Sequence, residues 1–517
     1  MRRNRLFVAI LLLLLLGTQF ALGQSKALTK RIDKILEDPD VSRALWGIDV
    51  VSLTSGRTLY SLNADKLFTP ASNTKLFTTA AALALIGPDY RFQTTVETTA
   101  ALDRYGRLTG DLTLVGRGDP NLSGRTLPYH LHTQRTQPAI HVLEELADQL
   151  VQKGLKFVDG DVVADDSYYV FERYGEGWAQ DDLVSEWGAP VSALSINDNV
   201  IFVSIMPADH PGDHAFVSIL PYAEYYQLEN RIITTPPGTG PHKIYVNREP
   251  GSNLLTLWGN IPADDNGANE ALAIEDPADF AAKVFRTLLE KRGVVIYGHS
   301  RTHHSELATL STFTVTTMAP AGGGEVSSLR RDNAPMVLAS HQSQPLGEDI
   351  QVINKVSQNL HAELLLRLLG REKGAAGNIA SGLEVLRGFL VRAGIPPEEF
   401  VFHDGSGLSR ENLVTPQAVV QLLTYAGQQP WGALYEGTLS VGGLDGSLAE
   451  RFKLGAGLEQ VHAKTGSLGH VNALSGYATT LKGDRIAFSI LVNNHNLPSK
   501  RVVETIDMIV EAMLAEK

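Results

Sequence analysis

Ser72-Asn73-Thr74-Lys75 opens an apolar run in which Leu76, Phe77, Ala80, Ala81 and Leu83 recur at helical spacing, and Gly87-Pro88 ends it. This pattern predicts a buried helix whose first turn carries a serine and a lysine three residues apart, hence on one face. A serine hydroxyl is a poor nucleophile until a base accepts its proton. Lysine can be that base where burial and nearby positive charge depress its pKa. A helix N-terminus adds a positive dipole end that favours a developing oxyanion.

Two later motifs complete the chemistry. Lys464-Thr465-Gly466 sets a cation beside a hydroxyl, a pairing able to hold a carboxylate. It leads into a strand expected over Val471 to Thr480, and Gly466 leaves room for a substrate backbone to lie close. A Ser-x-Asn motif occurs at Ser61-Leu62-Asn63, Ser195-Ile196-Asn197 and Ser357-Gln358-Asn359. Local spacing favours the third, with the second as its rival. Together the motifs supply what is needed to open an acyl bond through a covalent intermediate.

Around this set the chain divides into three stretches. Trp46 to Leu53 and Thr58 to Leu62 read as paired strands before the serine-bearing helix. From 90 to 334 short strands, Gly/Pro/Asp turns and isolated helices alternate, with helices expected over Ile140 to Lys153 and Pro277 to Arg292. Asn197, Asp198 and Asn199 read as turn and cap residues, and Gly322-Gly323-Gly324 punctuates the end of this region. Beyond 335, helices over Asp349 to Leu369 and Gly382 to Ala393, strands over 470–480 and 485–493, and a terminal helix over Val502 to Leu514 follow. The simplest architecture is an α/β (α+β) domain, residues 24–89 plus 335–517, split by a mostly β insertion of one or two subdomains, residues 90–334.

Arg2, Arg3 and Arg5, then the apolar run Leu6 to Leu16, then Ala21-Leu22-Gly23, form the layout of a secretory signal peptide over residues 1–23. The run is short for a membrane span, which favours cleavage over an uncleaved anchor and leaves no stable transmembrane segment. There is no cysteine in the chain, which excludes a lipoprotein and suits a bacterial envelope, periplasmic or otherwise exported. Without residues 1–23, 42 basic side chains face 57 acidic ones, a net charge of −15 that argues against a nucleic-acid partner. No metal site is expected: His210-Pro211-Gly212-Asp213-His214 and His303-His304 read as loop histidines, and no cofactor is indicated.

The ordered motifs resemble those of the low-molecular-mass penicillin-binding proteins. Asp404-Gly405-Ser406-Gly407-Leu408-Ser409-Arg410, Gly177-Trp178-Ala179-Gln180-Asp181-Asp182-Leu183 and residues 110–120 resemble signatures of their class C, the D-alanyl-D-alanine carboxypeptidase/endopeptidase subgroup. The resemblance covers essentially the whole mature chain. It implies a serine β-lactamase/transpeptidase-like domain, an antiparallel sheet flanked by helices. It further implies removal of the terminal D-alanine from peptidoglycan stem peptides, cleavage of D-Ala–diamino-acid cross-bridges, and binding of β-lactams. Carried onto this chain, it makes Ser72 the acylated residue, Lys75 the base, Ser357 and Asn359 the opposite wall, and Lys464 and Thr465 the carboxylate site. Gly466 joins Thr465 and Ser467 among the substrate-binding residues, Ser72 and Ser467 give the oxyanion hole, and Trp178, Asp181 and Arg410 approach the stem-peptide side chain. His470 departs from the pattern and either tunes the site edge or points to water. Two rivals stand beside this: a β-lactamase or esterase with the same residues, and a non-catalytic muropeptide-binding protein.

Overall fold

A computed structural model describes residues 26–130, 133–306 and 334–515; the expected signal peptide and Gly322-Gly323-Gly324 lie outside them. Two distant parts of the chain build one antiparallel sheet of six strands. Its order is Thr58–Leu62, Leu45–Ser52, Arg485–Asn493, Val471–Thr479, Val461–Leu468, Ser440–Val441. The three central strands are buried almost throughout, as a sheet covered on both faces must be. On one face the helices Lys26–Leu36 and Ser499–Leu514 bury Leu28, Ile32, Val502, Ile506 and Ile509. On the other the serine-bearing helix Thr74–Leu85 and the helices Asn359–Lys373, Ile379–Arg392 and Pro416–Gly427 share a second core. Phe77, Leu365, Leu369 and Leu423 lie within it.

The chain between these halves has a core of its own. Five strands, in the order Ser300–Ser305, Val162–Val170, Leu112–Val115, Gln93–Thr98, Met336–Gln342, carry the helices His141–Gln152 and Pro277–Lys291. Two three-stranded sheets, both lying between residues 200 and 273, adjoin them. Residues 336–342, expected after the insertion, instead pair antiparallel with Gln93–Thr98. That strand covers an otherwise open sheet edge. The chain then returns to the first sheet's helices at Leu346.

Two local expectations are corrected. The helix expected over Asp349 to Leu369 is broken: Leu346–Gln351 is α-helical, Val352–Val356 is a π-turn, and Ser357 sits at φ 67° before a new helix starts at Asn359. The Gln358 side chain caps that helix by accepting from the Leu360 N–H. Lys464-Thr465-Gly466 does not merely precede a strand; it lies inside Val461–Leu468, which forms a hairpin with Val471–Thr479.

Candidate active site

Ser72 and Lys75 occupy the 3₁₀ turn and first α-turn of one continuous helical segment. The Lys75 ammonium donates to Ser72 Oγ at 3.0 Å, Asn359 Oδ1 at 2.6 Å and the Ser406 carbonyl at 2.6 Å. Across the cleft, Lys464 Nζ donates to Ser357 Oγ at 2.8 Å and to the Thr465 carbonyl at 2.9 Å. The left-handed backbone at Ser357, rare outside glycine, turns its hydroxyl toward that lysine. Asn73 Nδ2 binds the Lys464 carbonyl at 3.0 Å, fastening the helix start to the strand.

Both lysines are fully buried. Burial lowers Lys75 to a pKa of about 7, although Asp404 and Glu363 pull it upward. Burial, and then the charge of Lys75, push Lys464 well below the ordinary ammonium range. Desolvation is thus what makes an ammonium titrate near neutrality here.

Gly466, on the cleft wall, also has a structural reason. A Cβ there would stand 2.8 Å from the Pro70 carbonyl oxygen and 3.1 Å from the Ser72 nitrogen. The missing side chain admits the turn that carries Ser72. Gly466→Ala is expected to cost about 1–3 kcal/mol as an overpacked contact, measured as a lower urea midpoint with unchanged m-value.

The Asp404 to Arg410 stretch forms the floor beneath Lys75. Asp404 accepts from Trp178 Nε1 at 3.0 Å, the Gly407 N–H at 2.8 Å, the Ser409 N–H at 2.6 Å and Asn412 Nδ2 at 2.6 Å. Buried Glu363 accepts the N–H groups of Gly405 and Ser406 at 2.9 and 2.8 Å. Those bonds aim the Ser406 carbonyl at Lys75. At Gly407, φ 86°, a Cβ would lie 1.9 Å from the Ala71 carbonyl, so only glycine lets this loop touch the turn that carries Ser72.

A cleft of about 700 Å³ joins these parts. Ser72, Ser357, Asn359, Thr465, Gly466, Ser467 and Arg410 line it. Trp178 and Asp181 do not. Trp178 sits behind the floor on Asp404, and Asp181 lines a separate hollow with Tyr174 and Arg248. The neighbouring Asp182 reaches the cleft and pairs with Arg410 at 2.6 Å. Trp187, Ser447, Arg451 and Lys500 also line it and carry no short motif that would reveal them. Ser447 Oγ accepts from the Thr465 hydroxyl at 2.8 Å. The Trp187 carbonyl accepts from Asn359 Nδ2 at 2.9 Å.

His470 is turned toward His495, whose carbonyl lies 2.8 Å from its Nδ1, while Leu468 and Gly469 form that edge of the cleft. The rival motif at Ser195 and Asn197 makes local bonds, to the Ser192 and Val200 carbonyls. Asp198 is more than a turn residue: it is buried, and it binds Arg125, Arg135, Gln358 and His361.

A discontinuous antiparallel sheet, a serine and lysine one helical turn apart, and a second lysine on the facing strand define a serine acyl-transfer enzyme of the β-lactamase/transpeptidase fold. Residues 28–312 and 321–513 match the D-Ala-D-Ala carboxypeptidase 3 (S13) family. The D-alanyl-D-alanine carboxypeptidase of Actinomadura sp. (strain R39) is 34% identical over 513 residues, covering 96% of this chain and 87% of that one. Penicillin binding protein 4 (dacB) from Haemophilus influenzae superposes with a TM-score of 0.77 at 21% identity, over 94% of this chain and 99% of that one. Its complex with a β-lactam gives 0.71 at 22% identity, over 93% and 98%. The chain belongs to the D-Ala-D-Ala carboxypeptidase 3 (S13) family. It is a serine-type D-Ala-D-Ala carboxypeptidase acting on peptidoglycan.

Proposed function

We propose that this protein removes the terminal D-alanine of stem peptides through an acyl-enzyme on Ser72, and cleaves D-Ala–diamino-acid cross-bridges by the same route. The observation that carries this reading is the fully buried Lys75 ammonium 3.0 Å from Ser72 Oγ. In its neutral form Lys75 takes the Ser72 proton as Oγ attacks the carbonyl carbon of the penultimate D-alanine. The backbone N–H groups of Ser72 and Ser467 receive the oxyanion. As the C–N bond breaks, Ser357 passes its proton to the leaving amine and takes one from Lys464 Nζ, 2.8 Å away. Water then attacks the ester: its hydroxyl joins the acyl carbon, its proton replaces the one Lys464 gave, and Lys75 returns the first proton to Ser72 Oγ as the ester C–O bond breaks. Lys464 and Thr465 receive the substrate carboxylate, or that of a β-lactam, which acylates the same serine.

The stem-peptide side chain meets Arg410 with Asp182 and Trp187, while Trp178 acts at a distance through Asp404. The unit bearing Ser72 comprises residues 24–89 and about 343–517, and residues 90–342 form the insertion. The protein works exported, in the bacterial envelope. The basic and apolar first residues support this, and no helix among the described residues is long and apolar enough to cross a membrane.

Because the base must be unprotonated, acylation is expected to rise with pH through about 7 and level off above it. Stopped-flow rates of penicillin acylation between pH 5 and 9 check this; a flat profile would remove Lys75 from the base role. The overall reading is tested with a pentapeptide ending in D-Ala-D-Ala. Penicillin-sensitive release of D-alanine is expected. Penicillin hydrolysed rapidly with no D-alanine released would favour the β-lactamase reading.

A further inference from the structure

A second cavity, of about 430 Å³, adjoins the cleft, and Trp187 and Val356 line both spaces. Ser357 faces the cleft, whereas its two chain neighbours, Val356 and Gln358, line the second cavity. The two spaces therefore meet beside Ser357. Arg125, Arg135 and Glu186 supply much of the remaining wall. Arg125 is buried and Arg135 half-buried, its guanidinium 5.0 Å over the Phe202 ring.

Two arginines and two acids share the charged wall of this cavity. Asp198 pairs with both arginines. Burial opposes its ionisation, but Arg125, His361 and Arg135 outweigh that and hold its carboxyl well below the usual range. Burial pushes the Glu186 carboxyl up, toward its neutral form. Two guanidiniums thus face one firmly ionised carboxylate, Asp198, and a second, Glu186, whose ionisation burial opposes. A cavity of this kind suits a segment with carboxylates and peptide carbonyls.

In the proposed reaction Ser357 serves the leaving amine, and the present inference rests on that reading. When the leaving group is free D-alanine, nothing extends past Ser357. When the scissile bond is a cross-bridge, the leaving amine is the side chain of a diamino acid, with a second stem peptide attached. We propose that the cavity beyond Trp187 and Val356 is the subsite for this leaving strand, an anionic peptide held by Arg135 and Arg125. The bonds made and broken at Ser72 are the same for both substrates; only the group departing with the amine differs.

The test compares kcat/KM of the mature protein on a D-Ala–diamino-acid cross-linked muropeptide dimer and on an uncross-linked pentapeptide. Wild type, Arg135→Ala and Arg135→Lys are used, with penicillin labelling of Ser72 as the check of a folded site. Arg135→Ala is expected to lower dimer cleavage about tenfold, the worth of a lost charge-assisted hydrogen bond. Arg135→Lys should restore part of it, and pentapeptide turnover should move less than about twofold. The inference is overturned if dimer and pentapeptide turnover fall together, if Arg135→Ala cleaves the dimer as wild type does, or if wild type cleaves only the pentapeptide. Should wild type also leave the pentapeptide intact and take up no penicillin, the failure belongs to the proposed function, and this subsite falls with it.

Discussion

Lys75→Met should slow acylation of Ser72 by roughly 10³-fold, within the range that general acid–base groups contribute. Methionine is close to lysine in length and lacks the ammonium, so it fills the buried site without a base. The change leaves Asn359 Oδ1 and the Ser406 carbonyl without the donor they now share. Each orphaned acceptor costs about 1–3 kcal/mol before relaxation, offset in part because a fully desolvated charge leaves with the ammonium. Loss of rate with a moderately lowered thermal unfolding midpoint is therefore the expected pair of results. Acylation within about threefold of wild type would mean that another group accepts the proton.

Asp404→Ala is expected to act mainly on stability. The carboxylate collects donors from Trp178, Gly407, Ser409 and Asn412, with the Ser406 hydroxyl at 3.3 Å as a fifth. Alanine leaves them without an acceptor at a fully buried position. Each orphaned donor costs about 1–3 kcal/mol before relaxation, so a loss of about 4 kcal/mol is expected in urea unfolding. A second effect follows from charge. Asp404 is the first of the carboxylates that raise Lys75, so its removal should move the rising limb of the acylation profile to lower pH. A variant of wild-type stability would show that the Asp404 to Arg410 loop is organised by other contacts.

How much of this was legible beforehand depended on whether the signal was local. The Ser72–Lys75 helix could be read because apolar spacing and a three-residue offset are properties of one segment. The strands Leu45–Ser52, Val471–Thr479 and Arg485–Asn493 were equally plain, being runs that alternate or stay apolar between turn residues. Ser357 was harder. Nothing in Val352–Val356 announces a π-turn, and a left-handed serine is held there by its tertiary bond to Lys464. Asp181 and Asp182 are adjacent in one short 3₁₀ turn, so composition alone could not say which faces Arg410. Asp404 and Glu363 were invisible as partners of Lys75 because they sit some hundreds of residues away in sequence and meet it only through the assembled core. Trp187 and Ser447 likewise enter the cleft from short 3₁₀ turns, Glu186–Gly188 and Gly446–Leu448, too short to carry a pattern.

The central claim is that Ser72 becomes acylated. The direct measurement is intact and peptide-level mass spectrometry of the mature protein and of Ser72→Ala after exposure to benzylpenicillin. One adduct on the peptide containing Ser72, absent from Ser72→Ala, is the predicted result. An adduct that persists in Ser72→Ala, or that maps to any other residue, would contradict the account.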